Sequence, residues 1–215
     1  ISLAQIAGLR TDWTPEWEEQ LLATAVSMGP ADPDVLFNAG LMDLQAGRVE
    51  VGLRRWRQSL ERSSRYAAEM AVLGFQWASD DEVFASMIPA SPRGIVTIAA
   101  ALDPRVYARQ RQQLASRAEQ RLTAGEDAES HHLRSVIAML RGQTAQQIEH
   151  LRQAVQAAPR NLEWRYELAE RLCSQGAWDE ARDHARVCAQ LAPHRAKFVE
   201  LHKRIMQTIL TTPTN

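Results

Sequence analysis

One spacing constrains this chain more than its composition does. The numbers of Gly142 and Gly176 differ by 34, and so do those of Pro159 and Pro193. In the N-terminal half Gly40 and Gly74 are separated by the same interval, and an equal step back from Ser64 lands on Pro30. A fixed period of this length is that of a repeated helix-turn-helix unit, in which each hairpin buries its apolar face against its neighbours. The residues between the markers favour helices. Leu36, Ala39, Gly40, Met42 and Leu44 lead to Gly47, and Val49, Leu53, Trp56 and Leu60 follow it. Leu133, Val136, Ile137 and Leu140 precede Gly142, and Ile148, Leu151, Val155 and Ala158 run on to Pro159. Each set has the i, i+3, i+4 spacing of one helix face.

Composition agrees. Three tyrosines and four phenylalanines are too few for the many short aromatic and β-branched runs of an all-β chain. Alanine, leucine, glutamine, glutamate and arginine dominate, and these are helix formers. The expected class is all-α. Capping residues followed by proline mark helix starts at Thr14-Pro15, Asp32-Pro33, Ser91-Pro92 and Asp103-Pro104. Ser79 and Glu82 have the spacing of a capping box, which accounts for the acidic pair Asp80 and Asp81. From Pro104 to about Ala124 the pattern reads as one long helix.

The stretch 161–193, NLEWRYELAERLCSQGAWDEARDHARVCAQLAP, resembles a tetratricopeptide repeat. It has the leading apolar residues Trp164 and Leu168, the turn glycine Gly176, Trp178 to Ala181 at the second helix start, and the closing Pro193. Residues 32–64 resemble the family too, with Asn38, Gly40, Gly47 and small Gly52 and Ser59 where helices approach. The stretch 128–161 is a weaker match, with Gln147 where Ala181 sits one repeat later. The resemblance covers about two-thirds of the chain. It implies an α-α superhelix, a solenoid of antiparallel helical hairpins. Gly47 to Gly142 is seven residues short of three periods, so the middle is irregular. The expected organisation is an N-terminal array at 1–78, degenerate helical hairpins or a linker at 79–127, and a C-terminal array at 128–215. Residues 1–11 fall where the first helix of a preceding hairpin should lie. Phe198, Leu201, Ile205 and Ile209 form the stripe of a capping helix, with Lys197, Glu200, Lys203 and Arg204 on its other sides.

The same stretches contain reactive residue types. Cys173, Asp179, Glu180, His184 and Cys188 crowd into sixteen residues, yet their positions in a hairpin give no matched nucleophile, base and orienting group. The cysteines lie unequally far from Gly176, too far apart along the hairpin for a disulfide, so two free thiols are expected, Cys188 buried and Cys173 near the groove. His184 and Glu180 suit an exposed helix pair. Asp127, Glu129, His131 and His132 could be taken for metal ligands, but adjacent histidines on a helix point about 100° apart and no zinc-type spacing accompanies them. No phosphate loop or nucleophile elbow occurs. The expectation is no catalytic residues, no metal and no cofactor.

A net charge of −1 excludes a bulk polyanion binder. Arginines do concentrate locally: Arg48, Arg54, Arg55, Arg57, Arg62 and Arg65 against Glu50 and Glu61, and Arg105, Arg109, Arg111, Arg117 and Arg121 against Glu119. The longest apolar run, residues 95–102, is far short of the twenty or so needed to cross a bilayer.

What the resemblance implies is a groove lined by the first helix of each hairpin. Its matching residues are Phe37, Leu41 and Phe75 in the first array, which are apolar, and Glu129, His132, Tyr166 and Glu170 in the second, which are polar and acidic. Leu41, Phe75, Val136 and Glu170 stand where chaperone-binding members carry clamp asparagines, which argues against a chaperone tail as ligand. The expected function is a non-enzymatic scaffold for a protein or peptide partner, a soluble domain of a larger, membrane-anchored bacterial polypeptide. Nucleic acid is disfavoured as a partner. The alternatives are an anionic polymer held by the arginine-rich helices, or a helical enzyme or regulator with a site between Asp80 and Arg111.

Overall fold

In a computed structural model of the chain, the described residues are 15–77, 85–122, 125 and 127–211. Among them are eleven helices of ten or more residues and no strand. They are α1 (Pro15–Met28), α2 (Pro33–Gln45), α3 (Val49–Arg62), α4 (Ala67–Trp77), α5 (Pro92–Ala101), α6 (Ala108–Arg121), α7 (Ala128–Leu140), α8 (Thr144–Ala157), α9 (Leu162–Ser174), α10 (Trp178–Leu191) and α11 (Ala196–Thr211). They form two compact units, 1–121 and 122–215. Within each unit consecutive helices pack on one another, so the architecture is all-α and built of stacked antiparallel hairpins.

The period is written into the helix starts. The first residues of α7, α9 and α11 are spaced by 34, as are those of α8 and α10, α2 and α4, and α1 and α3. In α2, α7 and α9, the first helices of hairpins, there are 13 residues; α3, α8 and α10, the second helices, have 14. α1 also has 14 and starts one period before α3, so by register it is a second helix.

Each first helix opens on a side-chain cap fifteen residues before its turn glycine: Asp32 accepts from Asp34 and Val35 N–H, Asp127 from Ser130, Asn161 from Trp164. Each ends at a glycine of positive φ, Gly47 at 76°, Gly142 at 71° and Gly176 at 75°. The left-handed residue lets the next amide reach back to the last turn, Arg48 N–H to Asp43 C=O, Gln143 to Ala138 and Ala177 to Leu172.

Close packing follows from three sets of residues at equivalent positions in the hairpins: Gly40, Ser135 and Ala169; Gly52, Gln147 and Ala181; Ser59, Ala154 and Cys188. All are buried. At the first hairpin the contact reaches the backbone, since a Cβ on Gly52 would stand 2.7 Å from the Gly40 carbonyl oxygen. Trp56 fills the space beside it, fully buried, with Nε1 donating to the Phe37 carbonyl at 2.9 Å. Gln147 departs from its set: it is 3% exposed, and Nε2 has no partner among the described residues.

The seven-residue deficit of the middle has two parts. From the start of α4 to that of α5 the numbering advances by 25, against 34 in the regular repeat, a loss of nine. From the start of α6 to that of α7 it advances by 20, against 18 in the regular arrays, a gain of two. Between them α5 and α6 keep the 16-residue start-to-start spacing of every other hairpin, so the irregular stretch contains a hairpin of normal pitch.

Its turn is rebuilt. The expected helix from Pro104 to Ala124 is shorter, Ala108–Arg121, and Asp103-Pro104 is a turn instead of a helix start. The Asp103 side chain accepts from Arg105 N–H, its carbonyl accepts from Tyr107 N–H, and Arg111 Nη1 donates to the Leu102 carbonyl, so the cap and the following residues close a turn before α6 begins. Gln112 and Glu119 of α6 stand where α3 buries Leu53 and Leu60 and α8 buries Ile148 and Val155; the stripe that would take a following hairpin is polar. The unit boundary falls directly after this helix.

Asp32-Pro33 and Ser91-Pro92 do start helices, with Ser91 accepting from Gly94 N–H. α1 starts at Pro15, while Thr14, the Ser79–Glu82 box and residues 1–11 lie outside the described residues. α11 buries Phe198, Leu201 and Ile205 as expected of a covering helix. Where other first helices place a small residue, it carries exposed Lys203.

Candidate functional site

The groove candidates lie on first helices, and the structure treats the two units differently. In unit 2 the helices α7, α9 and α11 repeat one another at a step of one period. Phe198 packs on Tyr166 (5.5 Å between ring centroids) as Trp164 packs on His132 (4.8 Å), and these two ring pairs are one period apart. His132 Nε2 lies 3.1 Å from Glu167 Oε2. Tyr166 donates its hydroxyl to Glu170 at 2.9 Å, and burial, then that carboxylate, raises its pKa above the ordinary phenol value. Glu129 is exposed, in the first turn of α7.

The acidic character expected here is offset from α11. Glu163 binds Arg195 and Lys197, each at 2.5 Å, and Arg204 lies 3.8 Å from Glu170. Lys197 also sits over the rings of Tyr166 and Phe198. Lys197 and Arg204 lie exposed, off the buried stripe of α11 as expected, and from there they reach the α9 groove residues. Register could have revealed them, because one period beyond Glu163 is Lys197 and one beyond Glu170 is Arg204.

In unit 1 Phe37 is part of a stack. Tyr66 covers one side at 4.1 Å and Trp56 lies at 5.8 Å, while Arg65 sits over Tyr66 and ion-pairs with Asp34 at 2.8 Å. Leu41 is half-buried, and the Phe75 side chain lies outside the described residues. Sequence reasoning missed Asp43, which is 2% exposed and holds both Arg48 and Arg55. The signal was an aspartate on a buried stripe facing an arginine-rich helix.

The stretch 171–193 scatters its reactive types. Both cysteines are free, as expected. Cys188 is fully buried, and burial pushes its thiol up to about 11; Cys173 is half-buried and also raised. Glu180 makes a two-point bond with Arg152 at 2.8 Å on both oxygens, which holds its carboxyl below the usual range. His184 is less exposed than expected. Burial lowers its pKa, as does Arg165, whose Nη1 lies 3.2 Å from Nδ1. Asp127 commits its carboxylate to the α7 cap, and the Ser130 amide holds its pKa down. Among the described residues no group of three His, Cys, Asp or Glu side chains could hold a metal, and no helix is long and apolar enough to cross a membrane.

Together, hairpins on a 34-residue pitch, glycine turns and small-residue crossings define a helical-repeat fold of the tetratricopeptide type. The chain is similar in structure to yeast Tom70, at a TM-score of 0.52 and 15% identity over 98% of this chain and 47% of that one. It also resembles TTC0263, a tetratricopeptide-repeat protein of Thermus thermophilus, at 22% identity over 89% and 88% of the two chains (TM-score 0.45). A third neighbour is YrrB, described as a tetratricopeptide-repeat protein with an unusual peptide-binding site, at 13% identity over 87% and 82% (TM-score 0.43). No protein-family model matches the chain, and no curated protein matches it.

Proposed function

We propose that the chain is a non-enzymatic scaffold that holds a protein or peptide partner against the first-helix face of its hairpins. In unit 2 this face is centred on His132, Tyr166 and Glu170, flanked by Glu129; in unit 1 it comprises Phe37, Leu41 and Phe75. The observation that supports it is the periodic lining of α7, α9 and α11. Glu163 with Lys197 and Glu170 with Arg204 place half-exposed charges of both signs beside a ring platform, held by neighbouring repeats and not by a catalytic partner. Such a surface can take an extended segment by side-chain pairing without reorganising.

The test is affinity capture with the purified chain, comparing wild type, Tyr166→Ala, Glu170→Lys and Leu41→Glu with the control Asp179→Ala, whose carboxylate is 87% exposed on α10. A protein retained by wild type and control and lost from a groove variant supports the reading. Equal retention by all variants, or none above background by wild type, overturns it.

A further inference from the structure

Outside the groove, α6 borders an open concavity of about 630 Å³, lined among the described residues by Arg109, Gln112, Gln113, Ser116, Arg117, Gln120 and Arg121. From Arg109 to Arg121 the lining extends ~18 Å along one helix. Among the described residues that line it there is no carboxylate and no aromatic ring; Glu119, the single acid of α6, is not one of them. Most arginines with partners elsewhere are engaged with carboxylates: Arg48 and Arg55 with Asp43, Arg152 with Glu180, Arg195 with Glu163. The side chains of Arg109, Gln112, Gln113, Arg117 and Gln120 make no hydrogen bond or ion pair with another described residue. Arg121 donates to the carbonyls of Pro89 and Ala90, at 3.4 and 2.8 Å, which fixes a cation at one end of the groove.

The geometry points to a docking surface on α6 for an acidic polypeptide segment. Arginines with no counter-charge among the described lining residues favour an anionic partner. Each glutamine offers both a donor and an acceptor. A polypeptide can satisfy both with its own amides while its carboxylates meet the arginines. Without a ring to stack on, nucleobases gain nothing here. Partial burial and the neighbouring Arg121 hold Arg117 below the usual guanidinium range, in keeping with two cations that share no anion.

The experiment is fluorescence anisotropy on the full chain with two probes, a labelled glutamate-rich peptide of about five helical turns and a single-stranded RNA oligonucleotide of matched charge. Both are read at about 50 and about 300 mM salt. The expected result is peptide binding that weakens with salt, falls roughly tenfold in Arg109→Gln/Arg117→Gln, and also falls in Gln112→Ala/Gln113→Ala. Arg54→Gln/Arg62→Gln, an equal charge change at exposed sites on α3, should leave it within about twofold. Circular dichroism of each variant confirms that it is folded. Absent peptide binding, equal loss in Arg54→Gln/Arg62→Gln, or RNA bound at least as tightly and indifferent to the glutamine changes would each overturn the assignment.

Discussion

At the scale of single residues, the turn glycines separate conformational cost from packing cost. A Cβ on Gly47 would meet nothing within 4 Å, so the penalty of Gly47→Ala is only that of its φ of 76°, about 1–2 kcal/mol. Gly52→Ala should cost more, because its Cβ would press on the Gly40 carbonyl at 2.7 Å and backbone cannot swing aside. Urea unfolding of the two variants should rank them in that order. Gln147→Ala goes the other way: it removes a buried amide whose Nε2 is unpartnered, and the denaturation midpoint should stay level or rise. Cys188 adds a pH dependence. Its thiol sits at about 11 against an ordinary 9.0, so its contribution is complete below pH 9 and is lost as pH rises towards 11; Cys188→Ala should flatten stability across that interval. Gly47, Gly142 and Gly176 were legible because only glycine adopts a positive φ cheaply at each period. Asp43 offered only the signal of an acid on an apolar stripe; its burial depends on Arg48 at the turn and Arg55 on the next helix, which packing brings to it.

At the scale of elements, the caps show what local sequence can and cannot specify. Asp32-Pro33 and Asp103-Pro104 are the same dipeptide, yet one opens α2 and the other closes a turn ahead of α6. The difference lies downstream, where Arg111 returns to the Leu102 carbonyl and holds the chain in the turn. The α2–α3 hairpin depends on a similar return. Asp43→Ala should destabilise the chain by about 1–3 kcal/mol, measured by urea unfolding, with Arg48 and Arg55 partly rescued by solvent. The groove shows the same limit. Its residue positions were legible from the repeat register, and so were the candidate partners Lys197 and Arg204 one period beyond Glu163 and Glu170; the contacts themselves came only with the packing of α11 against α9.

At the scale of the whole molecule, two compact units predict that damage stays local. Leu151→Ala, in the core that joins α8, α9, α10 and α11, should cost about 2–5 kcal/mol. Hydrogen exchange should show the loss of protection concentrated in residues 128–211, with amides of 15–121 changed far less. The sequence by itself determined the class, because a 34-residue period of glycine turns, capped starts and small residues admits few arrangements besides stacked hairpins. The tertiary structure decided where the array breaks and which charges remain free. The nine residues lost before α5 and the two gained after α6 become visible only once α5 and α6 are seen to keep the pitch. Likewise, a carboxylate and an arginine cancel or stay available according to which helices pack, and that is a long-range outcome which no local pattern encodes.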